Sequence, residues 1–259
     1  MGITIAGGRD SRGVPTSVWA FCLRSLIREY GWLFAWRVAV RHPWRTLKAL
    51  READKIDATG SGLVEVNGGV SAVPAGGPPS IVGAGFCLKP VNPACPSGRA
   101  NHDCLFLENQ TGQSTAGGPP PCRSCAIREI GTQSLRAGSA FYVMTSARDI
   151  LEDVYLPALE ARRFPTGLFV LCRYSFRPFA VGLMASGVSA RLVPLGQGDC
   201  RDYRTWLLAD RGIKDDQTTV DAVGLAGVGS LLGATAAAPA ARIERRGNVL
   251  FPLPAGPAA

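Results

Sequence analysis

Histidine is almost missing from this chain, with two in 259 residues. Acid–base catalysis by histidine therefore has little to draw on. Acids are scarce beside bases, 20 Asp+Glu against 28 Lys+Arg, and the formal charge is +8. No P-loop, metalloprotease helix or hydrolase nucleophile elbow appears. Gly83-Ala84-Gly85 is too short for a dinucleotide fingerprint. Cys172 and Arg177 are spaced C-x4-R, where a cysteine phosphatase loop needs one residue more to wrap a phosphate. Met1–Pro15 has no continuous apolar core and carries Arg9, Asp10 and Arg12, so it does not read as a secretory signal. Gly2 does not open a myristoylation motif, because position 6 is alanine. The expected compartment is cytoplasmic and reducing, where clustered cysteines bind metal or do redox work more often than they form disulfides.

What is present is an ordinary apolar content of 46%, with 31 glycines and 19 prolines. That excludes collagen, coiled coil and wholly disordered chains. Residues 1–55 hold most of the basic excess and four of the five tryptophans: Trp19, Trp32, Trp36 and Trp44. This segment reads as helical. One helix is capped by Thr16 or Ser17 and runs to Tyr30, a second covers Trp32–Val40, and a third covers Trp44–Asp54 with Pro43 in its first turn. Two readings stand. Residues 17–55 dock on a membrane surface or a partner protein, or they form a helical hairpin that packs its aromatics on the main domain. Nucleic acid is not favoured, since no recognised motif accompanies the charge.

Residues 56–121 are a Gly/Pro-rich loop region, with short strands expected at Leu63–Val66 and Ser80–Val82. Residues 122–246 alternate regularly. Helices are predicted over Ser124–Arg136, Ala147–Ala161 (kinked at Pro157), Phe176–Ser186 and Asp202–Asp210. Strands are predicted over Ala140–Met144, Gly167–Leu171 and Ser189–Val193. The fold class expected is α/β, a Rossmann-like parallel sheet with covering helices. Residues 222–241 are long enough to span a bilayer but are mostly Ala and Gly, which favours a buried or disordered segment. Residues 247–259, with three prolines, read as a flexible tail.

Eight cysteines remain, more than a core needs. Cys22 lies apart, in the first aromatic helix, and reads as a small buried hydrophobe. The other seven are Cys87, Cys95, Cys104, Cys122, Cys125, Cys172 and Cys200. Cys122-Arg123-Ser124-Cys125 is a C-x2-C at a helix start, where free N–H groups favour thiolate and two sulfurs reach one centre. Cys172 and Cys200 follow two predicted strands, so a parallel sheet brings them to one edge. The set preferred from that argument is Cys122, Cys125, Cys172 and Cys200. Cys87, Cys95 and Cys104 then form a partial second site or exchange places with the first. Arg123, Ser124, Arg173, Ser175 and Asp199 are expected to line the bound group, with Thr145 nearby. His102 is close to Cys104 but reads as an exposed loop residue. An iron–sulfur cluster, of the four-iron kind and one or two in number, is favoured over zinc. A thioredoxin-like dithiol should follow a strand, and here a proline-rich loop comes first.

From Cys87 to Cys200 these residues resemble a prokaryotic family of cysteine-rich iron–sulfur proteins, domain of unknown function one-sixteen. Cys87-Leu88-Lys89 is similar to its early Cys-Leu-Gln element, and Cys95 to the cysteine soon after. Cys122 and Cys125 are similar to its Cys-rich turn before a helix. Phe169–Cys172 is similar to its strand ending in Ala-Cys, and Val193-Pro194-Leu195 with Gly198-Asp199-Cys200 to its Val-Pro-Leu then Gly-Cys. The family's turn carries three cysteines ending Cys-Gly-x-Cys, whereas Pro119 and Ser124 stand at two of those places. The resemblance implies a cluster-binding α/β domain and supplies no reaction. Three functions are therefore expected. The first is electron transfer, or an accessory subunit of a larger complex. The second is a zinc-stabilised structural subunit. The third is an iron–sulfur enzyme with its substrate at the strand ends.

Overall fold

The computed structural model describes residues 30–57, 62–68, 77–109, 119–233 and 242–253. The expected first helix lies outside them, apart from Tyr30. Helix α1 opens as Gly31–Phe34 and widens into a π-helical turn, Ala35–Ala39. Helix α2 is Pro43–Ala53, with Pro43 where its missing N–H costs nothing. Strands β1 (Val64–Val66) and β2 (Ile81–Gly85) follow. Helix α3 is Ala126–Arg136, with Cys125 as its N-cap, and leads to strand β3, Ala140–Met144.

Helix α4 starts as Ala147–Ile150, capped by Ser146 and Asp149 reciprocally. It widens over Leu151–Tyr155 and ends as Leu156–Ala161. The widening precedes Pro157, whose ring crowds the carbonyl four residues back and whose missing N–H leaves that carbonyl free. Strand β4 (Thr166–Leu171), helix α5 (Phe176–Ser186) and strand β5 (Ser189–Pro194) complete the regular alternation. Gly187 stops α5 at φ 82°, a left-handed C-cap. Then come α6 (Tyr203–Asp210), α7 (Ala222–Gly233), β6 (Arg242–Arg246) and β7 (Val249–Leu253).

One seven-stranded sheet has the order β1-β5-β4-β2-β3-β7-β6. Its centre, β5-β4-β2-β3, is parallel. β3 and β4 are buried at every residue, as a sheet covered on both faces requires. Alternate strand residues enter two separate cores. Tyr142, Met144 and Phe169 join one with α1, α2, α4 and α5. Phe141, Val143, Leu168 and Val170 join the other with α3, α6 and α7. The fold is thus α/β and Rossmann-like. Any Cβ at Gly182 would overlap the Tyr155 ring, so glycine is what lets α5 close on α4.

Two expectations change. The sheet is not wholly parallel, because β1 and the β6–β7 hairpin add antiparallel edges. The residues expected to hang loose from 247 onward include β7, whose Val249 and Leu250 are buried beside β3. That apolar run is too short to announce a strand, and Pro252 falls past the β3 pairing, where no N–H is needed. Both short strands expected within 56–121 are present as β1 and β2, and β2 takes the sheet's centre. β2 extends beyond Val82 through Gly83, Ala84 and Gly85, residues of poor strand propensity, of which Gly83 leaves room for the Phe169 ring and Met144. Residues 222–233 are helical, and among the described residues no helix is long and apolar enough to cross a membrane.

Candidate metal centre

β2 lies between β3 on one side and β4 on the other, so the chain changes direction across the sheet at this strand. In an open α/β sheet, ligands bind at such a point, beyond the carboxyl ends of the strands. β2 ends into a 3₁₀ turn, Phe86–Leu88, which holds Cys87. β4 ends at Cys172, followed by a 3₁₀ turn, Arg173–Ser175, and α5. β5 ends into the loop that reaches Cys200. A cavity of about 110 Å³ opens here, lined by Cys87, Cys172, Cys200, Thr145, Ser175 and Lys214 among others.

These three thiols are close neighbours. The Cys200 thiol donates to Cys172, which holds the Cys172 thiol below its ordinary value in spite of burial. The Ser175 hydroxyl, 3.0 Å from Cys172 Sγ, and the Ser175 backbone N–H act the same way. Cys200, as the donor in a buried pair, is pushed far up. Burial, then the nearby Cys172, raises Cys87 to about 11, with the Thr218 hydroxyl opposing. The loop behind Cys200 is fixed through Gly198. Lys214 Nζ and Thr218 Oγ1 donate to its carbonyl at 2.6 and 3.0 Å. Gly198 sits at φ 76°, and a Cβ there would strike the Gln217 backbone, so only glycine fits. Arg173 Nη1 donates to the Leu195 carbonyl at 2.8 Å and lies 3.9 Å from Asp199. Burial raises the Asp199 carboxyl, against Arg173.

The remaining four cysteines gather elsewhere. Cys95 raises the thiols of Cys104, Cys122 and Cys125, Cys125 raises Cys104, and Cys122 raises Cys125, so the four lie in one neighbourhood. Burial is the largest cause in each of these, and it takes Cys104 to about 12. Backbone N–H groups of Ile127 and Arg128, at the start of α3, oppose it at Cys125. Lys89 is 1% exposed and stands close enough for Cys95, Cys104 and Cys125 to favour its charged form against burial. Its ammonium donates to the carbonyls of Gly98 (3.1 Å) and Asn101 (2.9 Å) and to Asn101 Oδ1 (2.5 Å). A buried cation thus ties down the loop between Cys95 and Cys104.

The structure therefore divides the expected ligands differently. Cys122 and Cys125 do not join Cys172 and Cys200; they join Cys95 and Cys104. The C-x2-C precedes α3 and packs on the loop that follows β2, while Cys172 and Cys200 hang from the ends of β4 and β5. Cys87 completes the strand-end trio. Of the expected lining residues, Arg173, Ser175 and Asp199 surround the trio. Arg123 and Ser124 are exposed in the turn between Cys122 and Cys125. The arginine that reaches this turn is Arg128, which donates to the Cys122 carbonyl at 3.1 Å and covers the Phe106 ring. Its position one turn into α3 could have been read from the helix; Lys89 had no sequence signal beyond its place next to Leu88.

His102 is not an exposed loop residue. It stacks on Tyr142, with Nδ1 2.8 Å from the Val143 carbonyl and Nε2 3.1 Å from Thr145 Oγ1. Thr145 donates to Asp149 at 2.5 Å. These polar groups brace the end of β3.

All seven described cysteines are free thiols. Among the described residues, no three or more His, Cys, Asp or Glu side chains are placed so that they could hold a metal ion as they stand. A single zinc ion, about 2.3 Å from each sulfur, demands a tight set of donors. The four-cysteine group matches a cluster in kind and number of donors, though its sulfurs are not placed to share one metal ion as they stand. Comparisons with protein-family models, curated proteins and solved structures find no match.

Proposed function

We propose that this chain binds an iron–sulfur cluster through Cys95, Cys104, Cys122 and Cys125, and serves as an electron-transfer or accessory subunit of a larger complex. The observation that supports this reading is the gathering of four thiols from three separate stretches, with Cys95, Cys104 and Cys125 around one buried lysine and Cys122 beside Cys95 and Cys125. Four thiolates are the usual complement of such a cluster. When bound, the cluster would supply a one-electron redox centre. The chain's own contribution is electrostatic and positional. Lys89 offsets thiolate charge, the first N–H groups of α3 face Cys125, and Arg128 fixes the turn at Cys122. The reading carries a reducing, cytoplasmic location with it, since thiolate ligands must stay reduced. It is also in keeping with the resemblance to domain of unknown function one-sixteen.

The test is anaerobic purification with a visible spectrum and iron, sulfide and zinc analysis. A brown, reducible protein that loses its colour in Cys104→Ser is expected. A colourless protein with stoichiometric zinc would sink the redox role. Colour retained in both Cys104→Ser and Cys125→Ser would sink the ligand set.

The cavity favours a second reading, an iron–sulfur enzyme. A cluster held at Cys87, Cys172 and Cys200 by three thiolates would leave one metal position facing the cavity, beside Ser175 and Lys214. Iron content that falls by about half in Cys87→Ser, with the rest intact, would support two clusters. Unchanged iron would remove this reading.

A further inference from the structure

The most unusual exposed surface lies far along the chain from these thiols, on α1 and α2. Trp32, Trp36, Val40 and Trp44 recur every four residues and are 70%, 60%, 64% and 81% exposed. A soluble fold rarely leaves three tryptophans this open. They are not needed to hold the helices down. Tyr30, Leu33, Phe34 and Val38 already pack α1 on the core, and Thr46, Ala49 and Ala53 bury the inner side of α2 against α5. Both helices therefore have an apolar face inward and a second, tryptophan-bearing face outward.

Charge lies on the same outer face. On α2, Trp44, Lys48 and Arg51 stand at i, i+4 and i+7, the spacing of one helical flank, and all three are exposed. Arg41, Arg45 and Lys55 are exposed with them. Within 30–57 the acids are Glu52, Asp54 and Asp57, against six Lys and Arg. Arg37 and Arg41 approach Glu160 at 3.4 and 3.9 Å, so the cations turned wholly outward are those of α2. The chain before Tyr30, residues 1–29, adds Trp19, Phe21, Arg24 and Arg28, the same aromatic and basic mixture.

From this juxtaposition we infer that α1 and α2 dock the protein on an anionic phospholipid surface, with Trp32, Trp36 and Trp44 at the headgroup level and Arg45, Lys48 and Arg51 against the phosphates. Tryptophan suits this depth because its ring is apolar and its N–H is polar. Exposed lysine and arginine select anionic lipid. No described helix is able to cross the bilayer, so the contact is from one side. It also sets an orientation. Tyr30, the residue from which α1 starts, lines the cavity at the strand ends. Docking thus brings the cavity mouth near the lipid. This inference does not rest on the cluster reading and is tested without it.

The experiment is co-sedimentation of the full chain with vesicles of phosphatidylcholine, with and without phosphatidylglycerol, read together with tryptophan emission. Binding to the anionic vesicles with a blue shift is expected. Trp32→Ala/Trp36→Ala/Trp44→Ala should weaken it at least about tenfold with an unchanged melting temperature. Arg45→Glu/Lys48→Glu/Arg51→Glu should do the same, since each cation near such a surface contributes roughly 1 kcal/mol, or about fivefold. No binding by the parent chain, or equal binding by either variant, would overturn the proposal. So would a free protein whose tryptophans are already shielded from acrylamide, which would place residues 1–29 over them. A dimer in light scattering that the tryptophan variant dissolves would assign the face to a second copy instead.

Discussion

Two groups of thiols sit in this molecule, and they are built in opposite ways. The trio of Cys87, Cys172 and Cys200 is delivered by the ends of β2, β4 and β5, so regular structure fixes it. The quartet of Cys95, Cys104, Cys122 and Cys125 is delivered by irregular chain, held by one buried ammonium and the first turn of α3. Their chemistry differs accordingly. In the trio, a hydrogen-bonded pair favours thiolate at Cys172. In the quartet, burial favours the neutral thiol at Cys104, Cys122 and Cys125. The sheet edge thus carries one polarised thiol, whereas burial keeps these three loop thiols in their neutral form.

The largest effect separating the two should come from the ligands. Cys104→Ser should lower the iron bound at the quartet at least about tenfold, because metal affinity and folding of the loop are coupled. Cys200→Ser should leave that iron in place; if it too empties the quartet, the two groups are one site. Next comes support. Phe169→Ala, under Gly83 and against Phe179, should cost about 3–5 kcal/mol in chemical denaturation and loosen the trio. Lys89→Met leaves the Gly98 and Asn101 carbonyls unpaired, while Asn101 Oδ1 keeps the Asp103 N–H, and should cost about 1–3 kcal/mol, with faster amide exchange confined to residues 91–104. Exchange that rises equally in β4 would erase the distinction.

Smaller effects follow from titration. Cys87 and Cys104 have folded values raised from 9.0 to about 11 and about 12. A raised thiol stabilises the fold fully below the unfolded value, and that contribution is lost as pH climbs toward the folded one. The metal-free chain should therefore lose stability progressively from pH 9 to 12 in thermal melts. A flat profile would contradict the burial of both thiols. Cys172 runs the other way, so at neutral pH iodoacetamide should label it before Cys104, Cys122 or Cys125. Ser175→Ala should shift the midpoint of that labelling upward by less than about one unit and leave melting unchanged.

The regular elements were legible in the sequence because their signals are local. Ala140–Met144 is a continuous apolar run, and Phe176–Ser186 ends at a glycine able to turn left-handed, so both were read to the residue. The convergence of Cys172 with Cys200 was legible too, through the rule that parallel strands end at one edge. Long-range choices were not. Nothing in C-x2-C spacing says which distant cysteine it meets, and the loop after β2 is free to carry Cys95 and Cys104 there. Lys89 was invisible because a buried lysine looks like any other lysine in a sequence. β7 was hidden in a proline-containing tail, and the glycines of β2 masked its second half.

That central strand has a consequence for how the chain comes to exist. Ile81 pairs with Ala140 on one side and Gly167 on the other. Synthesis delivers β2 early, yet neither neighbour has been made at that moment. Until Leu171 emerges, the sheet cannot close, and every cysteine from Cys87 to Cys125 is exposed on an unfolded segment. The trio of Cys87, Cys172 and Cys200 therefore gathers late, after the strands on both sides of β2 have been translated. Their thiols are open to oxidation for the whole of that interval.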